Sequence, residues 1–275
     1  MSYRRIMVQL DIDSPAKPRL RLACEIARRF EAELIGFAAS EARPPLLLTN
    51  TFAVDVDYIA EYTQKIESRL KKLRQEFEME TESDGDLHAV WRAMPGSPTP
   101  LLATHAREAD LLIVGTDVDF QNVERTVDVG ALILSAGRPV LLPAEDYREL
   151  KGDNVLVAWN DTREARRAVS DALPFLVRAD HVLVAMIAPQ ETDEAHESLL
   201  DVVRFLGRHG CKARSEVIVP GSRQIPEVLT ETAGRIGADL MVFGGYGHSR
   251  LREWAMGGVT RALIHDGSFH RFVSS

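Results

Sequence analysis

The chain is written twice, and the repeat constrains its fold more than any single motif does. RRIMVQLD at Arg4 to Asp11 is echoed by DNVLVAWN at Asp153 to Asn160, each an apolar run that ends in a small polar side chain. An amphipathic pattern follows each, PRLRLACEIARRF in the first half and REARRAVSDALPFL in the second. The short apolar runs AELIGFAA and DHVLVAMIA come next. Further on, PGSPTPLLATHAREADLLIVG (Pro95 to Gly115) matches PGSRQIPEVLTETAGRIGADLMVFG (Pro220 to Gly244). Strand patterns that alternate with helices of ten or more residues make βαβ units, and these build a parallel sheet with right-handed crossovers and helices on both faces. The sequence therefore predicts an α/β fold of two tandem, doubly wound parallel-sheet domains, residues 1–146 and 150–275. The junction, PAEDYRELKGDN, is short, so the halves are expected to pack together.

One insertion distinguishes the first half. Ile59, Tyr62, Ile66, Leu70, Leu73 and Phe77 recur at steps of three or four, which marks one helical stripe. The stripe is too short for a sustained heptad run, so the helix is expected to pack on the sheet of its own domain.

Composition narrows the function. With 275 residues, of which 45% are hydrophobic, two real cores are affordable, while a formal net charge of −8 argues against nucleic acid or an anionic membrane as partner. The start, MSYRRIMVQLDID, lacks the apolar core of a secretory signal, and no run of about 18 apolar residues could span a membrane. Cys24 and Cys211 are too few for a disulfide framework, and a reduced, cytoplasmic protein is the simplest reading. Cys24 falls on the apolar side of a helix, as a structural thiol would. His209 and Cys211 alone do not make a metal site, and none is expected.

Ligands of open parallel sheets bind beyond the carboxyl ends of the strands. Here those ends fall at Asn160, Ile187 and Gly244. After Gly244 the chain reads GYGHSRLREWAMGGVTRALI, with Gly244 and Gly247 spaced so that amides can point into one concavity at a helix start. His248, Ser249, Arg250, Arg252 and Arg261 make the local field positive. Gly257 and Gly258 open the last helix, near Val259, and offer a second set of free amides. The run is not a P-loop, since no Gly-Lys-Ser/Thr follows, and no GxGxxG follows the first strand.

With these residues the sequence resembles the universal stress protein family over essentially its whole length, as two tandem copies. The nucleotide-binding members of that family carry Gly, two residues, Gly, nine residues, Gly, then Ser or Thr. This chain has Gly244, two residues, Gly247, nine residues, Gly257 and then Gly258, so the final hydroxyl is missing. The family's carboxylate after the first strand is matched by Asp11 in one half and Asn160 in the other. The resemblance implies the adenine nucleotide alpha hydrolase-like fold and a stress-response role. It implies ATP or a related adenine nucleotide, with or without Mg²⁺, held by Gly244, Gly247, His248, Ser249, Gly257 and Gly258 at the phosphates and by Asn160 and Ile187 near ribose and adenine. It also implies an intrachain pseudo-dimer through RPVLLPA and FHRFVSS, with a homodimer left open.

In the first half, GTDVDFQNVERTVDVGALIL keeps Gly115 but has Val118 where Gly247 would be. Asp117, Asp119 and Asp128 replace the basic cluster, and carboxylates repel a polyphosphate. That half reads as degenerate, with Asp11 able to serve only a neutral or cationic ligand. No nucleophile, base and orienter set is found, so a dedicated enzyme is not expected. The alternative to a nucleotide binder is an interaction module of the same fold that takes a protein partner or another phosphorylated metabolite.

Overall fold

The computed structural model describes residues 2–41, 56–83, 85, 87–116, 125–246 and 258–275. Five strands come from the first half: β1 (Arg5–Gln9), β2 (Glu33–Ser40), β3 (Ala89–Pro95), β4 (Leu111–Ile113) and β5 (Val140–Leu142). Five more come from the second: β6 (Asn154–Ala158), β7 (His181–Ile187), β8 (Ala213–Ile218), β9 (Leu240–Gly244) and β10 (His270–Ser274). They form one ten-stranded sheet in the order β3-β2-β1-β4-β5-β10-β9-β6-β7-β8. The order reads the same from both edges, because each repeat places its strands in the same sequence. Every pairing is parallel except β5 with β10, which run antiparallel with Phe272 opposite Leu141.

Eight helices are described: α1 (Lys17–Phe30), α2 (Val56–Glu82), α3 (Pro98–His105), α4 (Val129–Ala136), α5 (Arg163–Leu176), α6 (Asp193–Arg208), α7 (Ile225–Ile236) and α8 (Gly258–His265). Two apolar layers sandwich the sheet. Ile26 and Phe30 of α1, Phe77 of α2, Phe175 of α5 and Leu206 of α6 belong to one. Leu102 of α3, Leu132 of α4, Leu229 of α7 and Leu263 of α8 belong to the other. Central strands need apolar side chains on both faces, which is why IMV, VLV and LMVF read as unbroken runs rather than alternating ones. Strands β3 and β8 lie at the edges and are only partly buried. The insertion helix α2 buries Ile66, Leu73 and Phe77. Phe77 and Trp91 both press on Gly36 of β2, where an added Cβ would stand 2.6 Å and 2.8 Å from their ring atoms.

The repeat is visible atom by atom. Asp110 Oδ2 accepts from the amides of Arg4 and Arg5 at 2.8 and 3.0 Å, and Asp239 Oδ2 accepts from those of Gly152 and Asp153 at 2.7 and 3.3 Å. Each carboxylate thus ties the start of its half's central strand.

The seam explains an unpromising sequence. HRFVS of β10 carries three polar residues, yet all five are buried. His270 accepts from the Ala144 amide through Nδ1 (3.2 Å) and donates from Nε2 to the Arg148 carbonyl (3.0 Å). Arg271 donates to the Ile264 carbonyl at 2.6 Å and to the Pro143 carbonyl. Polar groups pass through the middle of the sheet because backbone carbonyls on both sides receive them.

Candidate functional site

The carboxyl ends of β7, β6 and β9 lie side by side. The ladder pairs Ala158 with Ala185 and with Phe243, so Ile187, Asn160 and Gly244 emerge along one edge of the sheet. Of the site residues expected from the sequence, these three are brought together. Ile187 is half-buried against the core, and Asn160 is exposed. Gly258 is the first residue of α8 and is exposed. Gly247, His248, Ser249 and Gly257 lie outside the described residues, as do Arg250 and Arg252.

Two helix starts converge on the end of β9. A Cβ added to Gly244 would lie 2.5 Å from the Ala165 amide nitrogen and from the Glu164 carbonyl carbon, backbone atoms of the first turn of α5. One added to Gly245 would lie 3.7 Å from the Thr260 methyl in the first turn of α8, and 2.8 Å from Val273. Gly244 is therefore required by close approach of protein backbone, a role not assigned to it from the sequence. The positive ends of two helix dipoles meet where the sheet ends, and such a place favours an anion. The start of α8 carries no acidic residue. Around α5, Thr162 caps the helix, accepting from the Ala165 amide at 3.2 Å and donating to Asn160 Oδ1 at 2.8 Å. Asn160 is thereby fixed at the rim by its carbonyl oxygen.

The equivalent place in the first half is filled by the protein itself. Arg19, 1% exposed, rises from α1 beneath Gly115, where a Cβ would stand 1.7 Å from its Nη2. Its guanidinium donates to Asp11 Oδ2, to Gln9 Oε1 and to the Gln9 carbonyl, each at 2.9 Å. Burial alone would lower the Arg19 pKa, but Asp11, with Tyr147 behind it, raises it above the usual arginine value. Asp11 is thus committed to a cation belonging to its own chain. At the start of α4, Asp128 caps the helix and accepts from the Ala131 amide at 2.9 Å. An aspartate carboxylate already holds the place an anion would take. Asp117, Val118 and Asp119 lie outside the described residues.

Two residues escaped the sequence reading, Arg19 and Glu164, and so did the capping role of Thr162. Arg19 and Glu164 look like members of solvated faces. Their phase says otherwise, because Arg19, Ala23, Ile26 and Phe30 share one side of α1, and Glu164, Ala168, Ala172 and Phe175 share one side of α5. Each begins the buried stripe of its helix. Thr162 carried the ordinary signal of an N-cap before a helical pattern.

Among the described residues no group of three or more His, Cys, Asp or Glu is placed to hold a metal ion, and no helix is long and apolar enough to cross a membrane. Both cysteines are buried, and burial pushes the Cys211 thiol up.

Comparison with known proteins adds to this picture. Residues 2–118 match the model of the universal stress protein family. That span holds the half whose site is self-filled. No curated protein matches the chain. Among solved structures, a universal stress protein from Archaeoglobus fulgidus superposes with a TM-score of 0.71 at 16% identity, covering 98% of this chain and 96% of its own. A protein of unknown function from Pseudomonas aeruginosa gives 0.55 at 16% identity, with coverage of 99% and 92%. The fold of sheet and helices is therefore shared over the full length. Over residues 2–118 the chain is thus similar to the universal stress protein family, and its full length shares the fold of these solved structures.

Proposed function

We propose that the second half binds ATP or a related adenine nucleotide, and that the protein serves as a nucleotide-responsive binding protein of the cytoplasmic stress response rather than as an enzyme. One observation carries this reading. The starts of α5 and α8 converge on Gly244 and Gly245 at the carboxyl edge of the sheet, whereas Arg19 and Asp128 fill the same places in the first half. In this reading Gly244 and Gly258, with Gly247, His248, Ser249 and Gly257, surround the phosphates, and Asn160 and Ile187 flank ribose and adenine. Residues 1–146 then form a closed unit and 150–275 a ligand-binding one, related as an intrachain pseudo-dimer.

Nucleotide released from purified, denatured protein is identified by mass spectrometry, and an adenine nucleotide is expected. Gly258 supplies a second test. Among the described residues a Cβ there meets nothing within 4 Å, so Gly258→Ser clashes with none of them. The added hydroxyl should tighten ATP binding by about 1 kcal/mol, one hydrogen bond to a charged acceptor. A large loss of affinity on calorimetry would place the phosphates elsewhere.

A further inference from the structure

The turn after β9 leans on the other half of the molecule. Tyr246 takes a left-handed backbone (φ +54°), which a bulky side chain keeps only where its surroundings impose it. Those surroundings include α4 of the first half. Tyr246 is half-buried against the apolar layer to which α4 contributes. Its hydroxyl lies 2.6 Å, and its Cζ 3.4 Å, from where a Cβ on Gly130 would stand, in the first turn of α4. Glycine inside a helix is disfavoured relative to alanine, so Gly130 needs a reason, and the tyrosine hydroxyl supplies one. Gly245 lies against the same helix. It donates its amide to the Ser274 carbonyl at 2.7 Å, and a Cβ on it would stand 2.8 Å from Val273 and 3.3 Å from the Ile133 methyl of α4. Ser275 Oγ in turn donates to the Ile133 carbonyl at 2.7 Å. The contact has no mirror image in the sequence, because VGALI of α4 aligns with TRALI of α8 and puts Arg261 where Gly130 would be.

We propose that the first half controls the ligand site of the second through this seat: Gly130 admits the Tyr246 hydroxyl, and α4 thereby positions the turn that follows Gly244. Tyr246 is a positioning residue in this scheme, and the scheme rests on the nucleotide reading of the second half. The turn has little slack in which to lose a displacement. Gly244 is wedged against the backbone of Glu164 and Ala165, and Gly245 is enclosed by Val273 and Ile133. A tyrosine pushed off its seat therefore shifts the backbone at the carboxyl edge of the sheet, where the starts of α5 and α8 converge. Coupling of this kind is reciprocal, so a ligand that fixes the turn also steadies α4. The half that is closed to nucleotide then still decides how tightly the other half holds it.

The test is a double-mutant cycle on the full chain, with ATP affinity read by calorimetry for the native protein, Gly130→Ala, Tyr246→Phe and the two combined. Gly130→Ala should weaken ATP binding roughly tenfold, the scale of one overpacked methyl group. With Tyr246→Phe in place the nearest ring carbon is left at an ordinary contact distance, and adding Gly130→Ala should then cost less than about twofold. ATP binding by Gly130→Ala equal to native overturns the coupling and leaves the nucleotide site standing. So does a loss of equal size with and without the tyrosine hydroxyl. Failure of the native protein to bind ATP removes both readings. If Gly130→Ala does not fold, hydrogen exchange of the native protein decides: saturating ATP should slow the amides of α4, and unchanged exchange there overturns the proposal.

Discussion

Replacing Arg19 with methionine would leave the Asp11 carboxylate, 9% exposed, without the guanidinium that now stands 2.9 Å away. Losing one partner of a buried ion pair costs about 3–5 kcal/mol, because the remaining charge stays desolvated. Equilibrium urea denaturation of Arg19→Met should show a loss of that size, and adding Asp11→Asn should recover part of it. If the double variant is no more stable than the single one, the pair is not what holds this corner together. Arg19 and Glu164 were legible in phase but not in chemistry. The stripe marks both positions as inward, and only the packing shows Arg19 answered by Asp11 and Gln9, and Glu164 paired with Arg163 through one oxygen alone.

At the scale of elements, the seam strand β10 gives the fold a pH dependence. Burial holds the His270 pKa down to about 4, and its Nδ1 already accepts from the Ala144 amide, so protonation there breaks a bond. The unfolded chain takes up this proton near the ordinary value of about 6.5, and the folded chain does not. Stability from His270 is therefore complete above about pH 6.5 and is lost as pH falls toward 4, by up to about 3 kcal/mol. Urea midpoints of the native protein should fall more steeply over that window than those of His270→Asn. Parallel slopes would show that the imidazole does not titrate differently in the two states. The same strand marks the limit of the sequence as a guide. Apolar runs announced β1, β2, β6, β7 and β9, and the helical stripe announced α2. β3 and β8, being edges, bury too little to show a clean pattern, and HRFVS reads as a poor strand until the carbonyls that receive His270 and Arg271 are in view.

For the whole molecule, the proposed nucleotide site in the second half alone predicts one nucleotide per chain. Native mass spectrometry or calorimetry of the intact protein should give a stoichiometry near one, unchanged by Asp128→Gly alone, because Arg19 still fills the sugar side of the first half. Two equivalents would mean that self-filling does not decide which copy works. The central position of β10 also governs how the protein is made. Residues of β5 are synthesised some 130 residues before those of β10 that cover their open side, an interval on the order of ten seconds at ordinary elongation rates. Throughout that time the nascent first half presents an unpaired, apolar strand edge, VLL, which is the kind of surface that recruits other chains. The sheet closes only when its latest-made strand arrives at its middle, so translation speed and chaperone access should govern the yield of native protein more than the stability of either repeat does.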